Sequence, residues 1–470
     1  MTRFVQRLTV PCSASALYQW HASGGAFQRL APPWEHIRVR SWEGGEATQG
    51  LPQAQQFGDI STGATVTIQT RIGPIPATMV AKHTDHAADS HFVDEMIKGP
   101  FARWRHEHRF IPDGEQAILE DSIDYALPAG ALGQALGGRF AQRQLEQLFA
   151  FRHRRTLQDL LRHQQFADRP RMTIAVTGAS GFVGRQLVAF LRGGGHRVRA
   201  MVRRAPEPGS DQIAWRPAEG FVDRAALEGV DAIIHLAGES ILGRWTAAKK
   251  ARILQSRVQG TRAIAEAAAA LQKKPAVLIS TSAVGIYGDQ GDTLLPEDAD
   301  KDGDGFLADV CRQWEAAAQP ARDAGIRVVH PRLGVVLSGG GGALSTMLPA
   351  FSLGLGGPIG SGKQWMSWIG LDDLVGIYHH ALFTDTLQGA VNAVAPGAVT
   401  SRDYGRALGA VLRRPAFMPL PTPAVRLIMG QMGEEMLLFS IRASSQKLQD
   451  SQFSFLHQGL DGVLRAELGR

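Results

Sequence analysis

Cysteine is almost missing from this chain: Cys12 and Cys311 are the only two in 470 residues. That excludes a disulfide framework and a cysteine-based zinc site, and it fits a reducing compartment, so a cytoplasmic location is expected. Long apolar runs are missing too. None approaches the roughly 18–20 residues of a membrane span. The opening "MTRFVQRLTV" lacks the apolar centre of a signal peptide. The most apolar late stretch, "AVRLIMGQMGEEMLLF", is interrupted by Arg426, Glu434 and Glu435 and reads as an amphipathic helix. Charge of one sign is also scarce: 50 Lys+Arg stand against 44 Asp+Glu, a thinly spread net +6. The densest basic stretch, Arg152–Arg155 with Arg162, Arg169 and Arg171, lacks interleaved aromatics, so nucleic-acid binding is not expected. No internal repeat is found.

A hydrophobic content of 44% and a charged content of 20% describe a globular protein. The length exceeds one ordinary core and implies about two to four domains. Residues 1–165 have their own texture. "RFVQRLTVP" alternates as a strand, and "SASALYQWHAS" has an N-cap and helical spacing. After the turn-rich "LAPPWEHIRV" come alternating stretches: "HIRVRSW", "ATVTIQTRI", "ATMVAKHTDH", "HFVDEMI", "RWRHEHRFIP" and "AILEDSIDYAL". One long helical pattern, "FAQRQLEQLFAFRHRRTLQDLLRH", closes the region. Strands followed by a single long helix predict a sheet curved around that helix, with a cavity between them. Trp104, His106 and His108 are open to two readings. They alternate across a strand with one packed and one wet face, which is preferred here, or they line the cavity. Residues 166–171 form a polar linker.

A different pattern starts at Met172. "MTIAVTGASGFVGRQLVAFLRGGGHRVRAMV" gives a strand, then Gly178, Gly181 and Gly184, then an amphipathic helix and a second strand. The chemistry of a phosphate turn requires these residue types. Gly178 makes the tight turn, Gly181 lets backbone N–H groups approach a pyrophosphate, and Gly184 lets helix and strand touch. Ser180, Phe182 and Val183 complete the turn. The second strand ends in Arg203 and Arg204, where a ribose-binding carboxylate often stands. Two guanidinium groups there suit a 2′-phosphate, so NADP(H) is the expected cofactor. No metal ligands are assigned.

Strand and helix patterns then alternate: "GVDAIIHLAGES", "TAAKKARILQSRVQGTRAIAEAAAAL", "PAVLISTSAVGIYG", "GFLADVCRQWEAAAQPARDAG" and "IRVVHPRLGVVLS". Such alternation predicts a parallel, doubly wound α/β sheet.

Two resemblances follow. "GPFARWRHEHRF" and "GEQAILEDSIDYALPAG" resemble the START-like (SRPBCC) helix-grip domains, which implies an α+β fold and an apolar pocket over residues 1–165. "TGASGFVG", "DAIIHLAG", "STSAVGIYG", "HPRLGVVLS", "GSGKQWMSWIGLDDLV" and "NAVAPGAVTSRDYGRAL" resemble the extended short-chain dehydrogenases/reductases, in the atypical epimerase-family branch. This implies a Rossmann-type domain over 172–415 and a helical tail over 416–470. It also implies cofactor contacts from Leu236, Ala237, Gly238, Ser280, Thr281, Pro331 and Arg332, and a substrate-side wall from Lys363, Gln364, Trp365 and Trp368. Asp372 and Asp373 are expected to cap the helix that follows. The expected partners are a small-molecule substrate, an apolar ligand for the first domain and a second copy of the chain.

The resemblance also implies hydride transfer assisted by a Tyr, a Lys four residues later and a Ser or Thr. A phenol of pKa about 10 needs a nearby cation to act near neutrality. Ser282 occupies the hydroxyl position. The helix that should carry Tyr-x-x-x-Lys has Leu307 and Cys311 instead, or Phe306 and Val310 in a register shifted by one, and contains neither Tyr nor Lys. Arg257 replaces a usual Asn. Three alternatives stay open: Tyr287 substitutes as the acid, water supplies the proton, or the chain binds NADP(H) without turnover.

Overall fold

The computed structural model describes residues 1–35, 37–49, 56–72, 75–299 and 303–470. The first domain is a seven-stranded antiparallel sheet. Its strands are β1 (Thr2–Val10), β2 (Arg38–Glu43), β3 (Thr65–Ile72), β4 (Ile75–Ala87), β5 (His91–Lys98), β6 (Arg103–Asp113) and β7 (Gln116–Ala126), in the order β1-β7-β6-β5-β4-β3-β2. The expected strand "HIRVRSW" is seen from Arg38 onward; its first residue lies outside the described residues. The helix Ala14–His21 starts where predicted, because Ser13 Oγ accepts from the Ala16 N–H at 3.2 Å.

The long helix Gly130–Gln164 has two jobs along its length. Its first half lies on the concave sheet face, where Ala141, Leu145 and Phe149 pack with Trp104, Ile123 and Tyr125. Its second half still packs on the first-domain core through Leu160, holds Arg29 of that domain through Asp159, and reaches the next domain through Arg155 and Arg162.

The second domain is built on a parallel sheet. Its order runs β11 (Phe221–Val222), β10 (Ile213–Arg216), β9 (Arg197–Val202), β8 (Thr173–Thr177), β12 (Ala232–His235), β13 (Val277–Ser280) and then the strand Arg327–Leu333. Only the β10–β11 pair is antiparallel within this set. Every residue of β12 and β13 is buried, as strands covered by helices on both faces require. The register pairs Thr177 with His235 and His235 with Ser280. It therefore brings three carboxyl ends to one edge, where ligands of such sheets bind.

Several expectations need correction. The helix read over 305–325 is two, Phe306–Ala316 and Gln319–Asp323, because Pro320 has no N–H with which to continue the first. The strand read over 326–338 breaks at Gly334, where a Cβ would meet the Ser367 carbonyl at 2.7 Å. The late amphipathic pattern folds as Thr422–Gly433 with Gly430 at φ 59°, followed by a short turn of π-helix. Asp372 and Asp373 do not cap their helix, Leu371–Phe383; its N-cap is Gly370. Asp372 instead accepts from Arg29 at 3.1 Å and from Arg155. Buried Asp373 accepts from Arg162 at 2.9 Å and from the Leu456 and His457 N–H groups at 2.7 and 3.1 Å. This carboxylate pair ties the long helix, the parallel-sheet domain and the C-terminal tail together.

Candidate functional site

At the carboxyl edge of the parallel sheet, β8 ends in the glycine turn. Gly178 has φ 66°, a region open chiefly to glycine. A Cβ on Gly184 would stand 2.1 Å from the Gly178 carbonyl, so strand and helix touch there without side chains between them. The helix Phe182–Gly193 begins after Gly181, which supplies no side-chain cap. Ser180 and Gly181 are exposed, and no side chain caps the first turn. Such a terminus favours an anion. Thr177 Oγ1 accepts from the Leu236 and Ala237 N–H groups at 3.1 and 3.2 Å, locking the 236–238 loop against the turn. Arg203 and Arg204 stand exposed just past β9, with Arg204 paired to Glu207. An uncapped helix terminus, glycines that no Cβ would fit and two exposed guanidinium groups match the needs of a dinucleotide with a 2′-phosphate.

Beside this edge lies a buried polar group. Arg332 makes a two-pronged pair with Glu315, at 2.9 and 3.0 Å. It also donates to the Tyr287 hydroxyl at 2.9 Å, and that hydroxyl donates to Asn392 Oδ1 at 2.8 Å. Burial pushes the Tyr287 phenol above its usual range, against the opposing pull of Arg332. Burial also raises Glu315, but Arg332 outweighs it and holds the carboxyl below its usual range. Ser282 Oγ lies against Glu315 and Cys311, yet no described neighbour meets it with full hydrogen-bond geometry. Cys311, in the place of the expected lysine, is a buried thiol pushed up to about 11, first by burial and then by Glu315.

The remaining expected residues divide clearly. Ser280 is fully buried with its hydroxyl unpartnered among the described residues, and Thr281 Oγ1 lies 2.6 Å from the Tyr378 hydroxyl. Pro331 sits inside the strand Arg327–Leu333 and is paired with Val391. Lys363 is exposed. The Gln364 amide is spent on the Ile359 and Leu437 carbonyls, both at 2.9 Å. The Trp365 indole N–H donates to Asp292 at 2.7 Å, and the Arg442 guanidinium lies 4.4 Å from its ring. Trp368 lines nothing: it is fully buried in the main core, its N–H donating to the Gly397 carbonyl.

Sequence reasoning passed over Arg257 as a mere loss. Its guanidinium carbon would lie 3.2 Å from a Cβ on Gly238 and sits 5.0 Å from the centre of the Trp314 ring. A cation thus returns beside Cys311 from a different helix. The preferred reading of Trp104, His106 and His108 is corrected as well. The three share one parity on β6 and all are buried on the concave face. They line a cavity of about 420 Å³ together with Phe27, Trp42 and Phe101. Period-two spacing was the available signal.

Comparison with known proteins identifies relatives of each part of the chain. Residues 174–393 match the NAD dependent epimerase/dehydratase family, and residues 10–151 match the polyketide cyclase / dehydrase and lipid transport family. Residues 420–467 match a domain family of unknown function. An epimerase family protein of Mycobacterium tuberculosis is 41% identical over 292 residues, which are 62% of this chain and 96% of that protein. The crystal structure of human epimerase family protein SDR39U1 with NADPH is 35% identical, with a TM-score of 0.58, covering 63% of this chain and 99% of that one. A nucleoside-diphosphate sugar epimerase from Corynebacterium glutamicum is 32% identical with a TM-score of 0.78, covering 99% of this chain and 90% of that one. The parallel-sheet domain is thus of the Rossmann-like NAD(P)-dependent class, behind a START-like domain. The chain belongs to the epimerase family, with the C-terminal tail domain of that branch.

Proposed function

We propose that this protein binds NADP(H) through the glycine turn and Arg203/Arg204, and acts as an oxidoreductase or epimerase-like enzyme on a small polar substrate. The observation that carries this reading is the uncapped, exposed helix terminus beside Gly178 and Gly181, with two guanidinium groups at the end of β9. The human relative crystallised with NADPH supports it. When bound, the cofactor supplies or accepts a hydride. Gly178, Gly181 and the first turn of the helix Phe182–Gly193 hold its phosphates; Leu236, Ala237 and Gly238 bound its path. Ser282, backed by the negatively charged Glu315, orients a substrate oxygen. Arg257 offers the positive charge that the missing lysine would have given. Tyr287 positions Arg332 and Asn392; its one hydroxyl hydrogen is already donated. The proton comes from water.

Titration of NADPH and NADH into wild type and an Arg203→Ala/Arg204→Ala variant, followed by nicotinamide fluorescence, tests the cofactor assignment. NADPH binding lost in the variant supports it, and binding of neither nucleotide to wild type overturns it.

A second reading rests on the helix Phe306–Ala316, which has no phenol or ammonium. It makes the chain a non-catalytic NADP(H) sensor, coupled to the first domain through Arg29, Arg155 and Arg162. Single-turnover oxidation of bound NADPH by a carbonyl compound would exclude it. In either reading the first-domain cavity holds an apolar ligand.

A further inference from the structure

The floor of the first-domain cavity carries a cluster that neither reading uses. Strand register places His83 opposite Asp94 and Asp94 opposite His106, with His108 two residues along on the same face. Asp94 Oδ2 lies 3.3 Å from His106 Nδ1 and 3.9 Å from His108 Nε2. One ligand atom from each of these three residues lies within 4.8 Å of the others. Donors about 2.0–2.2 Å from a shared tetrahedral cation stand about 3.3 Å apart. The cluster therefore needs only a slight closure to surround one.

The far side of both rings meets one buried carboxylate. His106 Nε2 is 3.0 Å and His108 Nδ1 is 2.7 Å from Asp121 Oδ1, while His153 Nε2 is 2.6 Å from Asp121 Oδ2. A carboxylate behind a ligating imidazole decides which nitrogen keeps its hydrogen and turns the other toward the metal. The cluster is not closed on itself. His83 Nδ1, on the same cavity wall, has no partner among the described residues. Arg152, another charge on this wall, is directed elsewhere: it donates to the Leu30 carbonyl at 3.3 Å and lies over Phe149.

We propose that Asp94, His106 and His108 bind one divalent transition-metal ion of the Zn²⁺ or Fe²⁺ type, with Asp121 as the outer carboxylate. Two imidazoles and one carboxylate suit these ions and not Mg²⁺ or Ca²⁺, which prefer oxygen donors. The open coordination positions face a cavity walled by Phe27, Trp42, Met79, Phe101, Trp104 and Leu148. The site therefore takes an apolar molecule that bears one oxygen donor, such as a carboxylate or carbonyl.

The test uses the full chain, dialysed against chelator and titrated with Co²⁺ alone. The expected result is one Co²⁺ per chain with visible d–d bands, displaced by Zn²⁺. A His106→Ala/His108→Ala variant should lose the bands, and Asp121→Asn should bind about 10–100-fold more weakly. His91→Ala, half-buried beside Asp85 and outside the cavity lining, should change nothing. Wild type without d–d bands, or bands retained in the double variant, overturns the proposal. Because the wild-type spectrum alone can overturn it, a variant that fails to fold leaves the test intact.

Discussion

The two domains bury polar groups in opposite ways. Around Arg332 nearly every charge has its partner: Glu315 takes two of its N–H groups, and Tyr287 passes a third contact on to Asn392. Around Asp94 the groups are equally buried, but His83 Nδ1 has no partner among the described residues, and the cluster faces an open cavity. A saturated cluster fixes geometry. An unsaturated one, in a low-dielectric pocket, is costly unless something binds there. The difference is what the proposed roles rest on, positioning for the first and ligand capture for the second.

The largest expected effect tests the junction between the two domains. His163 and His379 face each other across it at 5.3 Å, within reach of His196, His380, Arg29, Arg162 and Arg171. Burial, then neighbouring positive charge, hold His163 at about 3 and His379 well below its usual value. Their folded pKa values are depressed, so the unfolded chain binds more protons once pH falls below about 6.5. Each such residue costs about 1.4 kcal/mol per pH unit below that point, until the folded pKa is reached. The unfolding midpoint should fall steeply from pH 6.5 to 4.5, and the fall should flatten in a His163→Phe/His379→Phe variant. A slope unchanged in that variant would place the acid sensitivity elsewhere. The first-domain cluster works the other way: His106, with a raised pKa, adds stability below pH 6.5 that is lost as pH rises through its folded value.

Arg332→Ala comes next. It leaves Glu315 buried without its partner and should cost about 3–5 kcal/mol, read as a lower denaturation midpoint of the parallel-sheet domain. A loss under about 1 kcal/mol would mean that the cluster is not the saturated one described. Smaller is the Arg203→Ala/Arg204→Ala effect, about 1.5–3 kcal/mol on NADPH affinity with NADH affinity unmoved. Equal losses for both nucleotides would remove the 2′-phosphate role. Smallest is Leu148→Trp, which fills the cavity. It should abolish binding of a fluorescent fatty acid by the first domain while changing stability by about 1–3 kcal/mol. Undiminished binding would place the apolar ligand elsewhere.

Strand alternation, glycine spacing and helix caps made the two architectures legible in sequence. Ser13 caps its helix through its hydroxyl, as expected; Thr246 and Thr400 do the same for helices whose caps the sequence analysis did not single out. The glycine turn was legible because only glycine tolerates φ 66° at Gly178 and the near-contact at Gly184. Other residues misled for identifiable reasons. Asp372 and Asp373 lie in the first turn of their helix, where acidic residues are common, but three arginines far away in sequence claim them. Pro320 and Gly334 interrupt elements whose hydrophobic periods run straight on.

The local sequence thus determined two α/β-containing domains, a glycine turn between strand and helix with two arginines after the next strand, and the absence of a Tyr–Lys pair. Each of these depends on residues close together in the chain. Only the tertiary structure decided that Arg257 returns a cation beside Cys311 and that Asp372 and Asp373 bind the domains together. It alone put Asp94 of one strand against His106 and His108 of the next. Those are contacts between distant segments, set by strand register and helix docking, and no local pattern encodes them.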